Sequence, residues 1–238
     1  MPYYYGFDWT YLVLVLPCMI FSLIASSRVN STFKKYSQQY SQRRITGAEA
    51  AQRVLARNGV SGVRIERVAG NLTDHYDPST NVIRLSDSVY SSTSTAAIGV
   101  AAHEAGHAVQ YAMNYAPIKL RAAIIPLTNF GSRLAMPLIL AGILLTFLGS
   151  FSTVLIYLGI AAFALSFIFQ LITLPVEFNA SRRAIRTIED AQLLTEEEQK
   201  GARKTLQAAA MTYVAAMAVS LAQLLRLIML YGNRRRRN

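Results

Sequence analysis

The sequence predicts an α+β membrane protein, mainly helical, with a small cytoplasmic domain and three to four transmembrane helices. Three observations lead there. Apolar residues make up 53% of the 238, and they gather into long blocks. A polar segment with both strand-like and helical patterning separates the first block from the next. Lys and Arg outnumber Asp and Glu by 24 to 13, and a basic cluster follows directly on the first block, as the positive-inside rule expects of a cytoplasmic flank.

The first apolar run, residues 9–25, is about one membrane thickness of helix. Residues 1–8 carry no positive side chain, so the run reads as an anchor with a belt of Tyr3, Tyr4, Tyr5 and Trp9 rather than a secretory signal. Arg28, Lys34, Lys35, Arg43 and Arg44 follow, which places the N-terminus outside and the next segment in the cytoplasm. The expected division is residues 1–27 as anchor, 28–133 as cytoplasmic region, 134–174 as a transmembrane hairpin, and 175–238 as a further helical segment with a basic tail. Gly149-Ser150 breaks the hairpin, and Pro175 marks the return to the cytoplasm. The last apolar stretch, residues 208–231, contains Gln223 and Arg226 and precedes Arg234 to Arg237. A fourth span would put those arginines outside, against the rule; a helix packed on the cytoplasmic domain or lying in the interface is the other reading.

Within 28–133, Thr46-Gly47-Ala48-Glu49 is a capping box, opening a helix through Arg57 with Gly59 as its C-terminal stop. Val63, Ile65 and Val68 suggest a strand. Leu72 to Tyr76, a turn at Asp77 to Asn81, and Val82 to Leu85 suggest a β-hairpin. Ser and Thr residues at 91–95 cap a second helix that starts near Thr95.

The net charge of +11 is carried without a nucleic-acid motif or an aromatic-basic stripe, so it is read as loop charge facing lipid and not as a nucleic-acid surface. Cys18 is the single cysteine, which excludes an intramolecular disulfide and a thiolate metal cluster.

The second helix contains His103-Glu104-Ala105-Gly106-His107. Side chains four apart lie one turn apart on the same helix face, so the two imidazoles can hold one zinc ion, with Glu104 beside them as general base. A catalytic zinc takes three protein ligands. Glu177 is the preferred third, because a carboxylate at the end of an apolar span is costly unless bound or paired; the other reading pairs it with Arg182 or Arg183. Glu196 to Glu198 read as solvated surface. His75, on the predicted hairpin, is a lesser candidate ligand and otherwise lines a substrate cleft or is structural. His75, Tyr213, Arg182 and Arg183 are candidate oxyanion stabilisers.

The segments Leu72 to Pro78, Val82 to Ser86, His103 to Gln110 and Leu174 to Arg183 resemble the YugP-like bacterial membrane zinc metallopeptidases, with a more distant similarity to the HtpX-type gluzincin membrane proteases. That resemblance implies a class, membrane zinc metallopeptidase, and no particular substrate. Together with the motif and the apolar spans it gives the expectation of a zincin-like cytoplasmic domain, one Zn2+ per chain, a protein or peptide substrate, and a multi-pass place in the bacterial plasma membrane. The HtpX-type proteins carry their third-ligand Glu in a Glu-x-x-Ala-Asp pattern, which Glu177 to Ser181 matches except that Ser181 replaces the acid. The resemblance therefore supports Glu177 as ligand and leaves Asn179 or Ser181 to orient a ligand histidine. The expected activity is membrane-bound zinc-dependent endopeptidase. The rival readings are a non-catalytic zinc-containing scaffold, closed by a fourth ligand such as His75, and a site-two-type intramembrane protease, which takes an Asp from a later span.

Overall fold

The computed structural model describes residues 8–232; the Tyr3–Tyr5 part of the aromatic belt and Arg234 to Arg237 lie outside the described residues. The chain is mainly helical, and a three-stranded sheet is its only β-sheet among the described residues. It divides into two compact units.

The polar unit comprises residues 25–119 and 174–212. It contains the C-terminal part of α1 (Leu16–Tyr36), which continues a π-helical turn at Tyr11–Val15. Next comes α2 (Gly47–Arg57), whose N-terminus carries the predicted capping box: Glu49 N–H donates to Thr46 Oγ1 and Thr46 N–H to the Glu49 carboxylate. Gly59 follows in the left-handed region at φ 67°, where a Cβ would be strained. The predicted first strand is β1 (Arg64–Val68). The hairpin is β2 (His75–Asp77) and β3 (Val82–Ser86). β3 is central, parallel to β1 and antiparallel to β2, with His75 opposite Arg84. The hairpin's first arm is shorter than predicted, since Leu72 has φ 55° and cannot continue a strand. Asp77 shapes the turn by accepting from Ser79 N–H, Ser79 Oγ and Thr80 Oγ1.

A short α3 (Asp87–Tyr90) leads to α4 (Thr95–Ala112), capped by Ser94 Oγ, which accepts from Ala97 N–H. Helix α4 is the core of this unit. Its Ala97, Ile98, Ala101, Ala102 and Ala105 are fully buried, together with Val54 of α2 and Ile83 and Leu85 of β3.

The apolar unit comprises residues up to 24, 120–173 and 213 onward. Its helices are the first turns of α1, most of α5 (Ala116–Leu144), the first part of α6 (Ser150–Asp190) and the last part of α7 (Glu196–Tyr231). A 3-10 turn at Thr146–Leu148 and Gly149 at φ 58° join α5 to α6. Among the described residues, four helices are long and apolar enough to cross a membrane, α7 among them. Only 11% of the most apolar window of α6 is buried within the protein, so most of its apolar surface needs lipid as solvent.

Helical backbone and apolar composition have different limits here. Helix α5 begins at Ala116, well before the apolar run at 134, because Lys119, Arg121 and Arg133 interrupt hydropathy without interrupting backbone hydrogen bonds. Helix α6 runs through Pro175, which costs it one backbone hydrogen bond but does not end it. Arg226, the residue that made the last stretch ambiguous, is ion-paired with Asp8, whose Oδ2 accepts from its Nε at 2.8 Å. An apolar helix can carry a charge neutralised in this way.

One expectation is corrected. Glu198 is buried, not solvated like Glu196 and Glu197. Its carboxylate accepts from Thr195 N–H at 2.9 Å, capping α7, and from Gln42 N–H at 2.7 Å.

Candidate metal centre

Helix α4 projects His103 and His107 from consecutive turns, their ring centroids 4.7 Å apart and nearly perpendicular. Helix α6 supplies Glu177, which is 2% exposed. Its Oε2 lies 3.3 Å from His103 Nε2 and 3.5 Å from His107 Nε2. One donor atom from each of the three residues falls within 4.8 Å of the others.

These separations test whether a metal fits. Four-coordinate zinc with bonds of about 2.0–2.1 Å keeps its ligand atoms roughly 3.3–3.5 Å apart, which is the spacing found from Glu177 to each imidazole. Direct charge-assisted hydrogen bonds between carboxylate and imidazolium are shorter, about 2.7–2.9 Å. The donor set, two imidazoles and one carboxylate with no thiolate, suits zinc and leaves a position open.

The electrostatics agree. Burial favours the neutral form of the His107 ring, but the Glu177 carboxylate beside it, the charge of Glu104 and the contact with Gln110 outweigh it. The result holds the His107 pKa above its usual 6.5. A site that draws a proton onto a buried ring is a site that favours positive charge.

Glu104 sits between the two histidines on α4. It is 9% exposed, and its carboxylate has no hydrogen-bond or ion-pair partner among the described residues. A nearly buried, unengaged carboxylate beside three converging donors is positioned to accept a proton from a water molecule.

Close approach of the two helices brings the set together. Gly106 lies between the histidines, and a Cβ there would stand 2.8 Å from the Ala180 carbonyl oxygen of α6. A side chain at 106 would push α4 off α6 and Glu177 away from the imidazoles.

Outer hydrogen bonds aim both rings. Gln110 Nε2 donates to the Val176 carbonyl at 2.8 Å and to Asn179 Oδ1 at 3.0 Å. A carbonyl only accepts, so the amide orientation is fixed and Gln110 Oε1 faces His107 Nδ1 at 3.0 Å. His107 must then carry its proton on Nδ1, leaving Nε2 with its lone pair toward Glu177. Ser181 Oγ lies 3.1 Å from His103 Nδ1 and can accept from it in the same sense. Asn179 Oδ1 also accepts from Arg183 Nε at 2.8 Å.

The remaining predicted residues are dispersed. His75 is exposed on β2, its Nδ1 2.8 Å from the Thr73 carbonyl, and it is not in the three-residue cluster. Arg182 is exposed and lines a separate cavity. Tyr213 is half-buried on α7, in the apolar unit.

Two residues escaped sequence reading. Gln110, three positions beyond His107, was marked only by being a lone amide on a small-residue helix that is otherwise apolar there. Asp74 precedes β2 and accepts from Ser86 N–H at 2.7 Å and Ser86 Oγ at 2.9 Å. Burial raises its pKa, the Ser86 bonds oppose that, and the nearby Glu104 charge adds to it.

Comparison with known proteins places the chain in a family. The chain is 46% identical over 228 residues to "Putative membrane protease YugP" of Bacillus subtilis (strain 168), covering 96% of this chain and 99% of that protein. No solved structure matches it. Residues 11–232 match the family described as "Putative neutral zinc metallopeptidase", a span that holds the His103–His107–Glu177 cluster, and the chain belongs to that family.

Proposed function

We propose that this protein is a membrane-bound zinc-dependent endopeptidase. It hydrolyses peptide bonds of membrane or cytoplasmic proteins near the cytoplasmic membrane surface. His103, His107 and Glu177 hold one zinc per chain, and Glu104 is the general base. The observation that carries this reading is the convergence of three donor atoms, with Glu177 at metal-ligand spacing from both imidazoles, beside the Glu104 carboxylate, which has no partner among the described residues.

When bound, zinc supplies Lewis acidity, polarising the scissile carbonyl and making a water molecule acidic near neutral pH. Glu104 accepts the proton of the attacking water and returns it to the leaving amine. Gln110 and Ser181 keep the two imidazoles in the tautomer that presents Nε2. The cytoplasmic placement is supported by Arg28, Lys34, Lys35, Arg43 and Arg44 on the flank of the first span. The membrane placement is supported by the four apolar helices. A scaffold with a closed structural zinc would need a fourth protein ligand, and His75 stands outside the cluster.

The decisive experiment measures zinc stoichiometry and casein cleavage together on the purified full chain. Wild type is expected to hold one zinc and cleave. Glu177→Ala is expected to lose the metal. Glu104→Gln is expected to keep it and to lose about 10²- to 10⁴-fold in rate. Unchanged cleavage by Glu104→Gln would refute the role given to Glu104.

A further inference from the structure

A cavity of about 900 Å3 opens in the polar unit between the end of α1, the second half of α6 and the start of α7. Its charge is one-sided. Arg28, Lys35, Arg182, Arg186, Arg203 and Lys204 line it, against the single carboxylate of Glu189. That carboxylate is taken up by an ion pair with Arg203. Among the described residues, the other five cations have no carboxylate within 4.0 Å. Uncompensated cations of one sign around a concave wall concentrate anions.

The wall is also apolar. Phe178, Ile185, Leu206 and Met211 line the same space. A small hydrophilic anion would leave these side chains against water, and a run of acidic residues has no hydrocarbon part long enough to cover them. An anion attached to an acyl chain satisfies both halves of the lining. Guanidinium groups match phosphate oxygens in paired hydrogen bonds.

Position along the chain selects the source. Helices α1, α6 and α7 are three of the four that are long and apolar enough to cross a membrane. Arg28 and Lys35 follow the apolar part of α1, Arg182 and Arg186 follow that of α6, and Arg203 and Lys204 precede that of α7. Cations at such places sit at the depth of lipid headgroups. We infer that this cavity is a binding site for one anionic phospholipid, its phosphate held by the cations of α1, α6 and α7 and its glycerol and upper acyl carbons against Phe178, Ile185, Leu206 and Met211. Ser181 belongs to the same wall, so the lipid lies one side chain away from His103.

The test uses the full chain in maltoside micelles, titrated with dioleoyl phosphatidylglycerol or dioleoyl phosphatidylcholine and read by native mass spectrometry. Wild type should retain one phosphatidylglycerol with about tenfold preference over phosphatidylcholine. Arg186→Glu with Lys204→Glu should reduce that preference to less than about twofold. Arg28→Glu with Lys35→Glu, on a different helix, should do the same and stands in if the first pair does not fold. Arg53→Glu with Arg57→Glu, exposed on α2, should leave the preference intact.

Absence of a preference in wild type overturns the assignment, as does an equal loss in the α2 control. Displacement of the lipid by millimolar inorganic phosphate would mark a free-phosphate site and overturn it too. Displacement by a glutamate-rich peptide would mark an acidic-segment site, with the same consequence.

Discussion

Gln110 Oε1 lies 3.0 Å from His107 Nδ1, and the direction of that contact is dictated from the far side of the amide, where Gln110 Nε2 donates to the Val176 carbonyl. The amide therefore couples one histidine's tautomer to the backbone of the helix that carries Glu177. Gln110→Leu should weaken zinc affinity by about 10- to 100-fold, measured by chelator competition, while helix content is retained. A change below about threefold would show that the contact does not aim the ring.

Gly106→Ala tests the helix approach. The added methyl would stand 2.8 Å from the Ala180 carbonyl oxygen, so the helices must separate. We expect a loss of about 1–3 kcal/mol in stability, seen as a lower Tm, together with a reduced zinc content. A variant as stable and as zinc-replete as wild type would mean that the gap yields without moving the donors.

Metal removal gives a third prediction. A ligand that binds only the folded chain stabilises it by about 2.7 kcal/mol at one hundred times its dissociation constant. Treatment with 1,10-phenanthroline should lower Tm, and added zinc should restore it. Glu177→Ala should show neither response, because its cluster lacks the carboxylate that draws the imidazoles together.

Asp74 gives a fourth. Its folded pKa lies above 3.8, chiefly through burial and further through the charge of Glu104. The folded chain thus holds this proton at pH values where the unfolded chain has lost it, so stability falls as pH rises through that window. Asp74→Asn removes the titration. Wild type should lose Tm relative to Asp74→Asn as pH rises from roughly 4 toward 7. Parallel profiles for the two proteins would refute the assignment.

Several features are legible in the sequence because they are local. The capping box at Thr46 and Glu49 closes within four residues, and the turn at Asp77 is made by its own side chain. Other features were not legible because they are settled by partners distant in the chain. Glu198 looked like surface until Gln42 was brought to it, and Arg226 looked out of place in an apolar helix until Asp8 met it. Composition located apolar runs, yet α5 and α6 extend past theirs, since backbone hydrogen bonding does not stop where hydropathy does.

The sequence by itself determined that His103 and His107 share one helix face with Glu104 between them, because a spacing of four fixes that through the pitch of the helix. It also marked Glu177 as a carboxylate in a costly place. The tertiary structure alone decided that the Glu177 carboxylate comes within 3.5 Å of both imidazoles, and that Gln110 rather than an acid holds His107 in register. Those contacts depend on how closely α4 and α6 pack at Gly106 and Ala180, and packing is a property of two surfaces meeting that neither segment carries alone.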